Sequence, residues 1–129
     1  MRKKLEHELS RRERQIMDVI YQRGQGTVGE VLDALPDPPS YSSIRALMGI
    51  LEDKGLLVHF QQGNRYIYKP TEPRDNAGKQ AIKRVLDTFY GGSIENAVAA
   101  LLDASDSRIS EDEIAKIANL IEKARSEGR

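Results

Sequence analysis

Apolar residues recur at helical spacing along the first half of the chain, and each run is preceded by a polar residue able to cap a helix. Ser10 followed three residues on by Glu13 is a capping box, and behind it Ile16, Met17, Ile20 and Tyr21 share one face. This predicts a helix ending at the "RGQG" of residues 23–26. Thr27 and Glu30 repeat the device, with Val28, Val31, Leu32 and Leu35 on one side. The "PDPP" of residues 36–39 stops that helix, because proline has no N–H and clashes with the preceding turn. Ser40 can cap a third helix whose Ile44, Leu47, Met48 and Leu51 follow the i, i+3, i+4, i+7 pattern until Gly55 offers a stop.

The period then changes. "LLVHF" (56–60) and "RYIYK" (65–69) are rich in β-branched and aromatic residues, and the "QQGN" between them carries the Gly and Asn of a tight turn. Three helices followed by a hairpin is the order of a winged helix-turn-helix domain, the hairpin being the wing. Pro70 and Pro73 punctuate its end, and beyond them the pattern is wholly helical. Ile82, Val85, Leu86 and Phe89 predict a fourth helix stopped by Gly91 and Gly92, and Ile94 to Leu102 a fifth. Ser110 with Glu113 reads as a third capping box opening a sixth helix, striped by Ile114, Ile117, Ala118 and Ile121.

The expected fold is therefore mainly α with a small β-hairpin wing. Residues 1–76 form the winged helix-turn-helix domain and 77–129 a helical region, with the boundary near Asn76. Three short helices bury too little surface to stand alone, so the tail is expected to pair with a second copy of itself. The side chains expected at that interface are Ile82, Val85, Leu86, Phe89, Val98, Leu101, Ile114, Ile117 and Ile121.

Composition narrows the functions. A chain of 129 residues with 39% hydrophobic and 31% charged residues holds one ordinary domain, or a small domain with an appendage. No apolar run approaches the roughly 20 residues of a membrane span, and the basic N-terminus lacks a secretory apolar segment, so the cytoplasm is the expected location. The absence of cysteine removes disulfides, thiolate metal sites and thiol nucleophiles. His7 and His59 stand far apart and outside any ligand-spaced cluster; no metal, cofactor or enzymatic motif is expected. Lys and Arg number 20, as do Asp and Glu, so net charge does not itself favour nucleic acid, and clustering decides. Arg2, Lys3, Lys4, Arg11, Arg12 and Arg14 gather at the start, against Glu6, Glu8 and Glu13. The cations at 11, 12 and 14 oppose the dipole of the first helix, and either a phosphate or the neighbouring acids would offset them.

The leading end of the third helix carries the main candidate chemistry. A recognition helix offers its first turns to base edges in the major groove while its other face packs inward. Arg45 can donate two hydrogen bonds to guanine, Ser42 and Ser43 can reach bases or phosphates, and Ala46 can meet a thymine methyl. The plain alternative is that they only solvate a helix end. Tyr41 either stacks on the sugar-phosphate backbone or covers the domain's edge. Thr27 is first a helix cap, and the helix end it opens could also take a backbone phosphate. Arg65 and Asn64 sit at the wing tip, where a side chain could enter the minor groove or merely be solvated.

Four stretches carry a resemblance: "LSRRERQIMDVIY", "TVGEVLDAL", "YSSIRALMGILEDKGLL", and "FYGGSIENAVAALL" with "ISEDEIAKIANLIEK". In order and spacing they resemble the penicillinase and methicillin-resistance repressors, whose relatives include copper-responsive repressors. The resemblance implies a homodimeric repressor on an inverted-repeat operator in double-stranded DNA. It also implies release by cleavage in the helix after the "YGG" turn, triggered by a membrane-bound sensor metalloprotease. The matching position here is Ala100 and Leu101, where the antibiotic-resistance members carry Asn and Phe. The paired cysteines of the copper branch are absent. Two other readings stay open on the residues alone: a winged helix serving only protein–protein interaction, and a repressor released by a ligand rather than by cleavage.

Overall fold

The computed structural model describes residues 9–105 and 108–128. Arg2, Lys3, Lys4, Glu6, His7 and Glu8 therefore lie outside the described residues. The elements run α1 (Arg11–Arg23), α2 (Val28–Ala34), α3 (Tyr41–Asp53), β1 (Leu57–Gln62), β2 (Arg65–Pro70), α4 (Arg74–Tyr90), α5 (Ile94–Ala104) and α6 (Glu111–Ser126). Among the described residues this is the expected order, helical apart from one antiparallel hairpin. Contacts group the chain into two units, one reaching to Ile82 and the other starting at Lys83.

In the first unit the helix starts are fixed by the predicted caps. Ser10 and Thr27 each form a complete capping box, the hydroxyl accepting from the N–H three residues on and the Glu carboxylate accepting from the cap's own N–H. Ser40 accepts from the Ser43 N–H and opens α3. At the other end of α3, Gly55 takes φ 80°. Its N–H reaches Glu52 O and the Leu56 N–H reaches Leu51 O, the paired bonds of a Schellman stop, which needs a left-handed residue and so favours glycine.

The apolar faces of the three helices meet in one core. Ile16, Ile20, Val31, Ile44, Met48 and Leu51 are wholly buried, and Leu57 and Tyr68 join them from the hairpin. Gly26 pairs with Tyr68 through two backbone hydrogen bonds of 2.9 and 2.8 Å, so the α1–α2 connection fastens the base of the wing to the helices. The hairpin register runs from Leu57 opposite Pro70 to Gln62 opposite Arg65, leaving Gly63 and Asn64 as the turn. Gly63 lies at φ 63°, the type II′ arrangement whose first central position suits glycine.

One acid is buried here that the pattern marked only as a cap. Glu13 is 4% exposed, and its carboxylate accepts from the Ser10 N–H at 2.7 Å and from Lys54 Nζ at 3.0 and 3.2 Å. Burial pushes its pKa up, but the Ser10 N–H, Lys54 and the Ser10 hydroxyl outweigh this and hold it below the ordinary value. The pair ties the start of α1 to the end of α3.

The helical tail differs from expectation in two details. α4 begins at Arg74, placing Asn76 in its first turn: the Pro73 carbonyl accepts from the Ala77 N–H, so Pro73 occupies the cap position, where a missing N–H costs nothing. At Ser110 the structure forms the hydroxyl half of the predicted capping box, accepting from the Glu113 N–H. No residue of α4, α5 or α6 is buried. Ile82, Val85, Phe89, Val98, Leu101, Ile114, Ile117 and Ile121 are all exposed, and Leu86 is half-buried.

Candidate nucleic-acid interface

The third helix divides as its sequence does. Ile44, Met48 and Leu51 point into the core, while Ser42, Ser43, Arg45 and Ala46 are exposed, with Tyr41 about half exposed at the helix start. Ser40 Oγ lies 3.1 Å from Ser42 Oγ and donates to Ser43 Oγ at 3.0 Å, so the leading turn is a cluster of hydroxyls held by its own cap. The segment "SYSSIR" thus combines a capping serine with outward polar positions at 42, 43 and 45. That spacing leaves them free of the inward face at 44, 48 and 51.

Beside this edge lies an open cleft of about 610 Å³ bounded by three elements. α2 contributes Thr27 to Glu30 and Asp33, α3 contributes Tyr41 and Arg45, and the hairpin contributes Gln61, Asn64, Arg65, Tyr66 and Tyr68. The structure therefore brings Thr27, Tyr41, Arg45 and Arg65 to one concavity. Ser42, Ser43 and Ala46 stand next to it on the outer surface of α3 rather than along its wall.

The electrostatics of the cleft are mixed. Arg45 and Arg65 line it together with Glu30 and Asp33. Glu30 is held well anchored as an anion: the Thr27 N–H lowers its pKa most, burial opposes this, and Arg23, the Thr27 hydroxyl and Arg65 add to the lowering. Arg23 also bridges to Glu30 at 2.9 Å. Thr27 is 8% exposed, with its N–H given to Glu30 and its hydroxyl accepting from the Glu30 N–H. By helix geometry this leaves the N–H groups of Val28 and Gly29 as the first-turn donors without an intrahelical acceptor.

The Arg12 guanidinium donates to Pro36 O at 3.2 Å and to Asp37 O at 3.1 Å, carbonyls of the loop between α2 and α3. Asp37 is the non-glycine residue at positive φ among those described, at 47°, and Arg12 clamps that turn between α2 and α3.

His59 falls within the predicted "LLVHF" strand, whose pattern gives no sign of a partner on α3. His59 Nδ1 lies 2.6 Å from Glu52 Oε2 in the last turns of α3. Its ring centroid is 4.5 Å from that of Tyr66 and 5.4 Å from that of Tyr68. Burial and the charge of Glu52 raise the Tyr68 pKa, partly countered by Arg45. A helix period and a strand period say nothing of where the two elements meet, so no local signal could have found this pair. Among the described residues, no group of three or more His, Cys, Asp or Glu could hold a metal ion. No helix searched is long and apolar enough to cross a membrane.

The family model described as penicillinase repressor matches residues 9–123. The penicillinase repressor of Bacillus licheniformis is 24% identical over 118 residues, covering 90% of this chain and 91% of that protein. An uncharacterized 16.5 kDa protein in the ptsI 3′ region of Latilactobacillus sakei is 26% identical over 117 residues, covering 89% of this chain and 79% of that protein. Among solved structures, the chain is similar to the DNA-binding domain of the repressor BlaI, with 26% identity over 54% of this chain and 88% of that one at a TM-score of 0.47. A MarR family protein from Bacillus stearothermophilus shares the fold at 16% identity, covering 92% of this chain and 74% of that one with a TM-score of 0.52.

Proposed function

The chain belongs to the penicillinase repressor family of transcriptional repressors, and from that premise we propose that it acts in the cytoplasm as a homodimer on an inverted-repeat operator in double-stranded DNA. Residues 1–76 are the winged helix-turn-helix domain and 77–129 the dimerisation region. The observation that carries the reading is the division of α3, with Ser42, Ser43, Arg45 and Ala46 exposed directly above the buried Ile44 and Met48. In this reading Arg45 donates to a guanine edge, Ala46 meets a thymine methyl, and Ser42 and Ser43 contact bases or phosphates. Tyr41 stacks against the sugar-phosphate backbone, and Arg65 enters the minor groove from the wing tip. Thr27 serves by holding the first turn of α2 at the rim of the same cleft.

The unburied faces of α4, α5 and α6 support the pairing of two subunits through Ile82, Val85, Leu86, Phe89, Val98, Leu101, Ile114, Ile117 and Ile121. Derepression follows cleavage between Ala100 and Leu101 by a membrane-bound sensor metalloprotease. Both residues lie in the last turns of α5, an eleven-residue helix without a buried side chain, which little packing would hold against local unwinding. The test is selection of bound duplexes from a random-sequence pool by the full chain. An enriched inverted repeat whose affinity falls linearly with salt on logarithmic axes is expected. A pool that yields no duplex would remove the proposal.

A further inference from the structure

The wing is joined to the core at its base, through Leu57, Tyr68 and the Gly26 pairing, whereas its outer half carries the tip residues Gly63 to Tyr66 away from that anchor. A two-stranded hairpin is weakly held unless something braces it. The brace is visible midway along: Glu52 of α3 bonds His59 of β1, and the His59 ring lies against Tyr66 of β2. His59 stands opposite Tyr68 in the register and Gln61 opposite Tyr66, so these side chains share the hairpin face on which Gln61, Tyr66 and Tyr68 line the cleft. An ionised carboxylate only accepts, so Nδ1 carries the hydrogen of the 2.6 Å contact. Both side chains are about two-thirds buried, so the bond is partly shielded from water.

We propose that the chain Glu52–His59–Tyr66 sets the angle between the recognition helix and the wing, making His59 and Glu52 positioning residues for DNA contact by Arg65. The proposal rests on the DNA-binding reading above. Arg65 follows the turn and precedes Tyr66 directly, so holding Tyr66 in place also holds the strand backbone that carries the arginine. α3 and the wing reach different grooves in that reading, and their relative angle decides whether both can be engaged at once. A loose wing would bind through α3 alone.

The experiment uses the full chain and a duplex enriched from a random pool by the unmodified protein. His59→Phe keeps a ring against Tyr66 and removes the bond to Glu52; Glu52→Ala removes the same bond from the other side. Each is expected to weaken binding about five- to tenfold, within the net worth of one ordinary, partly exposed hydrogen bond. Each should also lose hydroxyl-radical protection at the minor-groove flank while keeping protection of the half-site centre. Glu52→Gln, whose amide oxygen still accepts, should restore binding to within about twofold. On an Arg65→Ala background His59→Phe should have no further effect, because the two act through one contact. Equal binding by His59→Phe and the unmodified protein, or an undiminished loss on the Arg65→Ala background, would overturn the proposal alone. Failure to enrich any duplex would overturn it together with the DNA-binding reading.

Discussion

Replacing Glu13 probes the join between α1 and α3 most sharply. Glu13→Gln keeps the volume and an oxygen that can still accept from the Ser10 N–H, but it removes the negative charge that faces the Lys54 ammonium. Lys54 keeps 28% of its side chain exposed and can turn to water, so the full cost of about 3–5 kcal/mol for breaking a buried pair does not apply. A charged hydrogen bond of about 1.5–3 kcal/mol, reduced for that escape, gives an expected loss near 1–2 kcal/mol. Glu13→Ala also leaves the Ser10 N–H without its acceptor and a void at the buried site, for about 2–4 kcal/mol. Urea unfolding at fixed protein concentration, followed by far-ultraviolet circular dichroism, measures both. The pH dependence supplies the sign. Because the Glu13 pKa is lowered from 4.5, its contribution is complete above that value and is lost as pH falls through the lower folded value. The gap between the protein and Glu13→Gln should therefore narrow from pH 6 towards pH 3. Equal stability at pH 7, or a gap that widens on acidification, would refute this account of Glu13.

Three further substitutions test other parts of the molecule. Phe89→Glu, at a position 71% exposed in one chain, should leave each subunit folded yet dissociate the proposed dimer, each buried phenyl being worth about 1.5–3 kcal/mol; sedimentation equilibrium reads the change. Arg45→Ala should cost about 1–3 kcal/mol in operator binding and relax preference at one base position per half-site, measured by repeating the duplex selection. Gly49→Ala should raise stability by about 0.5–1 kcal/mol in urea unfolding, because Gly49 sits within α3 and an added Cβ meets nothing within 4 Å.

Much of the first unit could be read in advance because its signals are local. The Ser-x-x-Glu and Thr-x-x-Glu spacings at residues 10–13 and 27–30 bring both partners of each capping box into one turn, so the residues that announce α1 and α2 also make their hydrogen bonds. The same holds for Gly63 in the hairpin turn and Gly55 after α3. Pro73 was ambiguous because proline suits both a loop and the start of a helix, and the short-range pattern cannot separate the two. The contacts Arg12 to Pro36, Glu13 to Lys54 and Glu52 to His59 join different elements, and nothing in a period of 3.6 or 2 encodes which elements meet. In the candidate interface, polar outward positions on α3 were legible, as was the pairing of Thr27 with Glu30; that Thr27 would be buried follows only from how α2 packs. The stripes on α4 to α6 announced apolar faces without naming what covers them.

Footprinting of the enriched duplex across a salt series bears most directly on the claim that two copies of α3 present themselves to DNA. The account predicts two protected half-sites, centred about one helical turn or a multiple of it apart, with log affinity falling linearly in log salt by several counterions. Protection of a single isolated half-site by a monomer, or binding indifferent to salt and sequence, would contradict it.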